Sequence, residues 1–70
     1  MTYREVARKL TALGCTEMAR KGGDSHRKWR NPATSHSTVV PDWGGRDLKT
    51  GTVRGALRQL GIAWSDFDRA

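Results

Sequence analysis

Three stretches of this chain carry a regular spacing of apolar positions. Tyr3, Val6, Leu10 and Leu13 recur at intervals of three and four, which is the stripe of a helix with one buried face. Thr2 and Glu5 frame its start as a Ser/Thr-x-x-Glu capping box. Gly14 suits the left-handed residue that ends a helix, so the first helix is predicted over 3–13. Residues 25–30 alternate instead. His26, Lys28 and Arg30 fall on one face of a strand, Arg27 and Trp29 on the other. Val53, Ala56, Leu57 and Leu60 return to helical spacing, closed by Gly61.

The intervening segments fill in the order. Residues 16–21 are too few for a helix and read as a weak first strand around Met18, broken by Gly22-Gly23. Asn31 to Ser35 is turn chemistry. His36 to Pro41 is β-prone, with Val39 expected to meet Trp29 in the core. Pro41 to Asp47 is a loop. Gly51 and Gly55 weaken the second helix, Gly55 in exchange for close packing. Ser65-Asp66-Phe67 would cap a last turn that tucks Ile62, Trp64 and Phe67 over an open core edge. The result is an α+β chain, helix-strand-strand-strand-helix. A three-stranded antiparallel sheet with both helices on one face buries both stripes and leaves the other face to solvent. This arrangement resembles a double-stranded-RNA-binding domain, with residues 1–70 as one domain.

Charge adds a partner class to that outline. The chain has 13 Lys+Arg against 7 Asp+Glu, a formal net charge of +6 and a pI near 10.5. A small basic domain expects a polyanion or an acidic protein. The mean hydropathy of −0.72 suits disorder as well, but periodic apolar positions and three dispersed tryptophans favour a fold. The lone Cys15 cannot form an internal disulfide, which fits a reducing cytoplasm. No apolar run approaches the roughly 20 residues of a membrane span, and no signal peptide is expected. There is no Cys-x-x-Cys or His-Glu-x-x-His spacing, so neither a metal nor a cofactor is expected.

The richest segment is Gly23-Asp24-Ser25-His26-Arg27-Lys28-Trp29-Arg30. Histidine ordinarily titrates near 6.5 and trades protons around neutral pH. Arginine and lysine bind phosphate. A proton carrier among phosphate binders is the minimum equipment for cutting an RNA backbone.

With these residues placed, the chain resembles the HicA family, the small ribonuclease toxins of HicA–HicB toxin–antitoxin pairs. The matching pieces are Gly22-Gly23-x-Ser25-His26-x-x-Trp29-Arg30-Asn31-Pro32, Val39-Val40-Pro41, Gly45-x-Asp47-Leu48-Lys49-x-Gly51-Thr52 and Leu57-Arg58-Gln59-Leu60-Gly61-Ile62. They run in order over about residues 3–67. The resemblance implies a metal-independent endoribonuclease that cleaves messenger RNA, and a HicB-type antitoxin that silences it. The family's catalytic histidine falls on His26. Three positions depart from the usual pattern. Asp24 stands where a glycine commonly precedes Ser-His, Trp43 where many members have a histidine, and Cys15 where an aromatic is common.

Cleavage without metal uses the 2′-OH as nucleophile, a base to take its proton and cations to hold the charged phosphate. His26 is the expected base. Lys28 and Arg30 share its strand face and are expected to bind the RNA backbone, with Arg20 and Lys21 as further contacts. His36 is a candidate acid only if the hairpin brings it near His26; otherwise it is a solvent-facing strand residue. Ser25 points away from His26 on a strand and reads as a turn or edge residue. His26, His36, Cys15 and Asp24 fit no familiar zinc spacing. Trp29 reads as core, and Trp43 as a stacking or partner-contact residue. Two rivals remain: a non-catalytic RNA-binding module of the same fold, and a protein-interaction module whose charge serves an acidic partner.

Overall fold

The first helix begins where its capping box closes. In the computed structural model, which describes residues 1–19 and 25–70, α1 spans Tyr3–Ala12. The Thr2 hydroxyl accepts from the Glu5 amide at 3.3 Å, and the Glu5 carboxylate accepts from the Thr2 amide at 3.2 Å. Two amide donors that a helix start leaves open are thereby satisfied. The bonds that the Glu5 carboxylate accepts from the Thr2 amide and, second, from the Thr2 hydroxyl hold its pKa below the usual range. Gly14, at φ 89°, carries the chain out of the helix. Tyr3, Val6 and Leu10 are buried.

Three strands follow: β1 (Thr16–Glu17), β2 (His26–Asn31) and β3 (His36–Pro41). They form an antiparallel sheet in the order β1-β2-β3, with β2 central. The predicted break at Gly22-Gly23 lies outside the described residues.

Asn31 fixes the hairpin. Its carbonyl accepts from the Ser35 amide at 2.8 Å, its side-chain oxygen accepts from the Ala33 amide at 3.1 Å, and its side-chain amide donates to the Leu60 carbonyl at 2.9 Å. The resulting register pairs Asn31 with His36, Trp29 with Thr38, Lys28 with Val39 and His26 with Pro41. Opposed residues share a face, so Thr38 joins Trp29 in the interior and Val39 joins Lys28 outside. The expectation that Val39 meets Trp29 in the core is therefore wrong. Val39 is 48% exposed and Val40 is fully buried. Thr38-Val39-Val40 are all good strand formers, and residue type alone does not set the phase of the alternation.

The loop after β3 is tied to the chain start, where the Leu48 amide donates to the Met1 carbonyl at 2.8 Å. Helix α2 (Thr50–Leu60) ends at Gly61 with φ 72°. An added Cβ at Gly61 would meet Thr34 Cγ2 at 2.9 Å, so both backbone and space call for glycine there. Gly55 differs from expectation, since no atom lies within 4 Å of an added Cβ and close packing does not explain it.

A sixth element, α3 (Trp64–Arg69), starts at an Ala63 cap rather than at Ser65. It closes the core edge with Phe67, which is fully buried, and half-buried Ile62 packs beside it. Lys9 of α1 donates to the Phe67 and Asp68 carbonyls at 3.3 and 3.1 Å, at the end of α3. Tyr3, Val6 and Leu10 of α1, Val53, Ala56, Leu57 and Leu60 of α2, and Trp29 and Val40 of the sheet belong to one core. Both long helices thus cover the inner face of the sheet, and among the described residues no helix covers the outer face.

Candidate functional site

Strand β2 divides its side chains between two chemistries. Its exposed positions are His26, Lys28 and Arg30, and these share the outer face as the alternation predicts. Neighbouring positions on one strand face are about 7 Å apart, so the histidine and two cations form a single row. Pro41 and Val39 on β3 flank His26 and Lys28, and Thr16 and Ser37 flank Arg30. Lys28 and Arg30 form no ion pair among the described residues, so their charge faces solvent.

Arg27 points inward and both of its terminal nitrogens are engaged, while its buried Nε has no hydrogen-bond partner among the described residues. Its Nη1 donates to Glu17 Oε2 at 2.9 Å and its Nη2 to Asp42 Oδ2 at 3.0 Å. The guanidinium lies over the Tyr3 ring at 5.5 Å. The Tyr3 hydroxyl donates to Glu17 and accepts from the Trp29 indole N–H at 3.0 Å. This clamp joins α1, β1, β2 and the loop that follows β3. Burial first, then the hydrogen bond to Glu17, pushes the Tyr3 pKa up to about 12, against the opposing pull of Trp29 and Arg27. The bond to Glu17 also raises the Arg27 pKa. Sequence reasoning placed Arg27 on the inner face but missed the clamp, whose carboxylates lie 10 and 15 residues away.

The loop after β3 returns to the His26 end of the sheet. The Asp42 amide donates to the Ser25 carbonyl at 2.7 Å, and Asp42 Oδ1 accepts from the Gly44 amide at 3.0 Å. Between them Trp43 is exposed, with the Arg46 guanidinium 5.5 Å from its ring centre. An aromatic ring paired with a cation therefore sits in the loop that returns to the His26 end of the sheet.

Other candidates separate. His36 pairs with Asn31 and His26 with Pro41, which sets the two histidines at opposite ends of the ladder, roughly 17 Å apart along the strand. They also take opposite phases of the alternation, so His36 does not reach a group bound at His26. Cys15 is buried, and burial pushes its thiol pKa up. It does not converge with either histidine, and among the described residues no three His, Cys, Asp or Glu side chains gather as metal ligands would. Arg20, Lys21 and Asp24 lie outside the described residues. Among those residues no helix is long and apolar enough to cross a membrane.

Comparison with known proteins gives one finding. A protein-family model described as the HicA toxin of bacterial toxin–antitoxin systems matches residues 3–62. Neither the curated proteins nor the solved structures contain a match to the chain.

Proposed function

The chain belongs to the HicA family of toxins from bacterial toxin–antitoxin systems, and on that premise we propose that it is a metal-independent endoribonuclease acting on messenger RNA through His26. One observation carries the reading. His26 stands in a row with two cations, Lys28 and Arg30, at the three exposed positions of β2 on the outer sheet face. The clamp on the other side of β2 takes the strand's remaining cation, Arg27.

The step balances without a further reagent. His26 takes the proton of a ribose 2′-OH, and the 2′-oxygen bonds to the adjacent phosphorus. The bond from phosphorus to the 5′-oxygen breaks, leaving a 2′,3′-cyclic phosphate. The departing 5′-oxygen takes its proton from water, since His36 faces the other way, and protonated His26 neutralises the hydroxide that remains. Lys28 and Arg30 bind the phosphate backbone and offset the charge that builds on its oxygens, with Arg20 and Lys21 extending that contact. Trp43 stacks on a base beside the cut. Proton transfer of this kind is worth roughly 10²–10⁴-fold.

The toxin is held in check by its antitoxin partner, which we assign to the HicB type and to the outer face, where it blocks entry of RNA. The pair works in the cytoplasm, and residues 1–70 act as one domain.

The test is cleavage of a long messenger RNA in EDTA, with analysis of the fragment ends. Fragments ending in 2′,3′-cyclic phosphate support the reading. RNA that is bound and left whole replaces it with a non-catalytic RNA-binding module. Activity that chelation abolishes refutes the metal-independent step.

A further inference from the structure

A second surface lies on the helical side. Arg54, Leu57 and Arg58 of α2, with Ile62 and Trp64, line an open groove of about 250 Å³. Its floor is apolar and its rim cationic. Arg54 and Arg58 are four residues apart on one helix and project from the same side, where like charges repel. No acidic residue occurs in α2, and neither arginine forms an ion pair among the described residues. The nearby Asp66 on α3 is committed to Arg69 at 3.0 Å.

The groove is also preorganised. The Arg54 guanidinium lies over the Trp64 ring at 4.5 Å. Trp64 rests against Phe67, ring centres 5.8 Å apart, and Phe67 is fully buried. A guanidinium held over an indole can still offer N–H groups, in the fork that binds a carboxylate through two parallel bonds. Trp64 was expected to help cover the core edge. It is instead 37% exposed and serves as the platform for this arginine.

We propose that this groove docks an acidic, amphipathic segment of the antitoxin, one apolar side chain entering between Arg54 and Arg58 while carboxylates pair with both. Charge complementarity selects the occupant. A chain of net charge +6 calls for an acidic partner, and the family supplies a protein one. An RNA strand engaged at His26 lies on the outer face of the sheet, whereas α2 packs on the inner face, and a phosphate chain has nothing to place on Leu57 and Ile62. The antitoxin then holds the toxin at two separate places, and the contact here adds affinity without touching the row at His26. The proposal rests on family membership and not on the ribonuclease reading.

The experiment measures the affinity of the full-length toxin for its purified cognate antitoxin by calorimetry. Wild type, R54E/R58E and R54Q/R58Q are compared, with circular dichroism as the check on folding. Hydrogen exchange of the wild-type complex maps protection independently of any variant. Expected are protection of residues 54–64 in the complex, at least tenfold weaker binding for R54Q/R58Q and a larger loss for R54E/R58E. Unchanged affinity, or a complex in which those residues exchange as in the free toxin, overturns the proposal. So does loss of affinity for a single-stranded RNA oligonucleotide in place of the antitoxin, which would make the groove an RNA site. A toxin that binds its antitoxin through the groove yet cuts no RNA defeats only the ribonuclease reading.

Discussion

Arg27 and Arg30 lie three residues apart on the same strand and have opposite fates. Arg27 is about one-quarter exposed and holds two carboxylates and an aromatic ring, binding β2 to α1, to β1 and to the loop that follows β3. Arg30 stands outside with no carboxylate in reach among the described residues. A count of cations treats the two alike. Their surroundings show that one is spent on the fold while the other is open to a ligand. The same division runs along all of β2, with Trp29 and Asn31 inside and His26 and Lys28 outside. Substitutions on the inner face should register as stability, and substitutions on the outer face as RNA handling.

The largest stability effect falls on Trp29. Trp29→Ala deletes a buried indole and leaves the Tyr3 hydroxyl without its donor. The cost expected from such truncations is about 3–5 kcal/mol, most of what a domain near the low end of the roughly 5–15 kcal/mol range possesses. Loss of the cooperative thermal transition is the expected readout. A variant that melts like wild type would deny the inner face its structural role.

Tyr3 gives that face a pH signature. Its pKa is raised from 10.0 to about 12 on folding, so below the unfolded value both states hold the proton. Between the two values only the folded state does, and stability falls as pH rises through that window, by on the order of 2 kcal/mol. Urea midpoints for wild type should drop between about pH 10 and about pH 12, and Tyr3→Phe should flatten the drop. Equal slopes in both proteins would remove the burial and the Glu17 bond as its cause.

The arginine pair breaks or sharpens the contrast directly. Arg27→Ala should lower the melting temperature by more than Arg30→Ala, whose effect should stay within about 0.5 kcal/mol as for other surface sites. The reverse order would mean that the clamp is not what holds the strands together. Smallest in stability is Lys28→Ala. Its signature is a fall of about 0.7 in the log–log salt slope for single-stranded RNA. An unaltered slope would place the phosphate elsewhere.

Much of this division is legible from residue order. The helices follow from three- and four-residue spacing, and α1 from a capping box that closes as written. The phase of β2 is legible because Trp29, the strand's one large apolar residue, stands between Lys28 and Arg30. On β3 the phase is not, since Thr38, Val39 and Val40 suit either face and the Asn31 turn settles it. The Arg27 clamp and the Arg54–Trp64 stack were out of reach for a different reason. Their partners are distant in sequence, and a salt bridge or a stack leaves no periodic trace. His36 carried the chemistry of a general acid and only the pairing register showed that it lies far from His26.

The central claim, that reactivity belongs to the outer face of β2, is tested most directly with the two histidines. Wild type, His26→Ala and His36→Ala are incubated with the same messenger RNA in EDTA and the initial cleavage rates compared, each fold checked by circular dichroism. The account predicts a loss of about 100-fold or more for His26→Ala and a rate for His36→Ala indistinguishable from wild type. Undiminished cleavage by His26→Ala, or a comparable loss on removing His36, would contradict it.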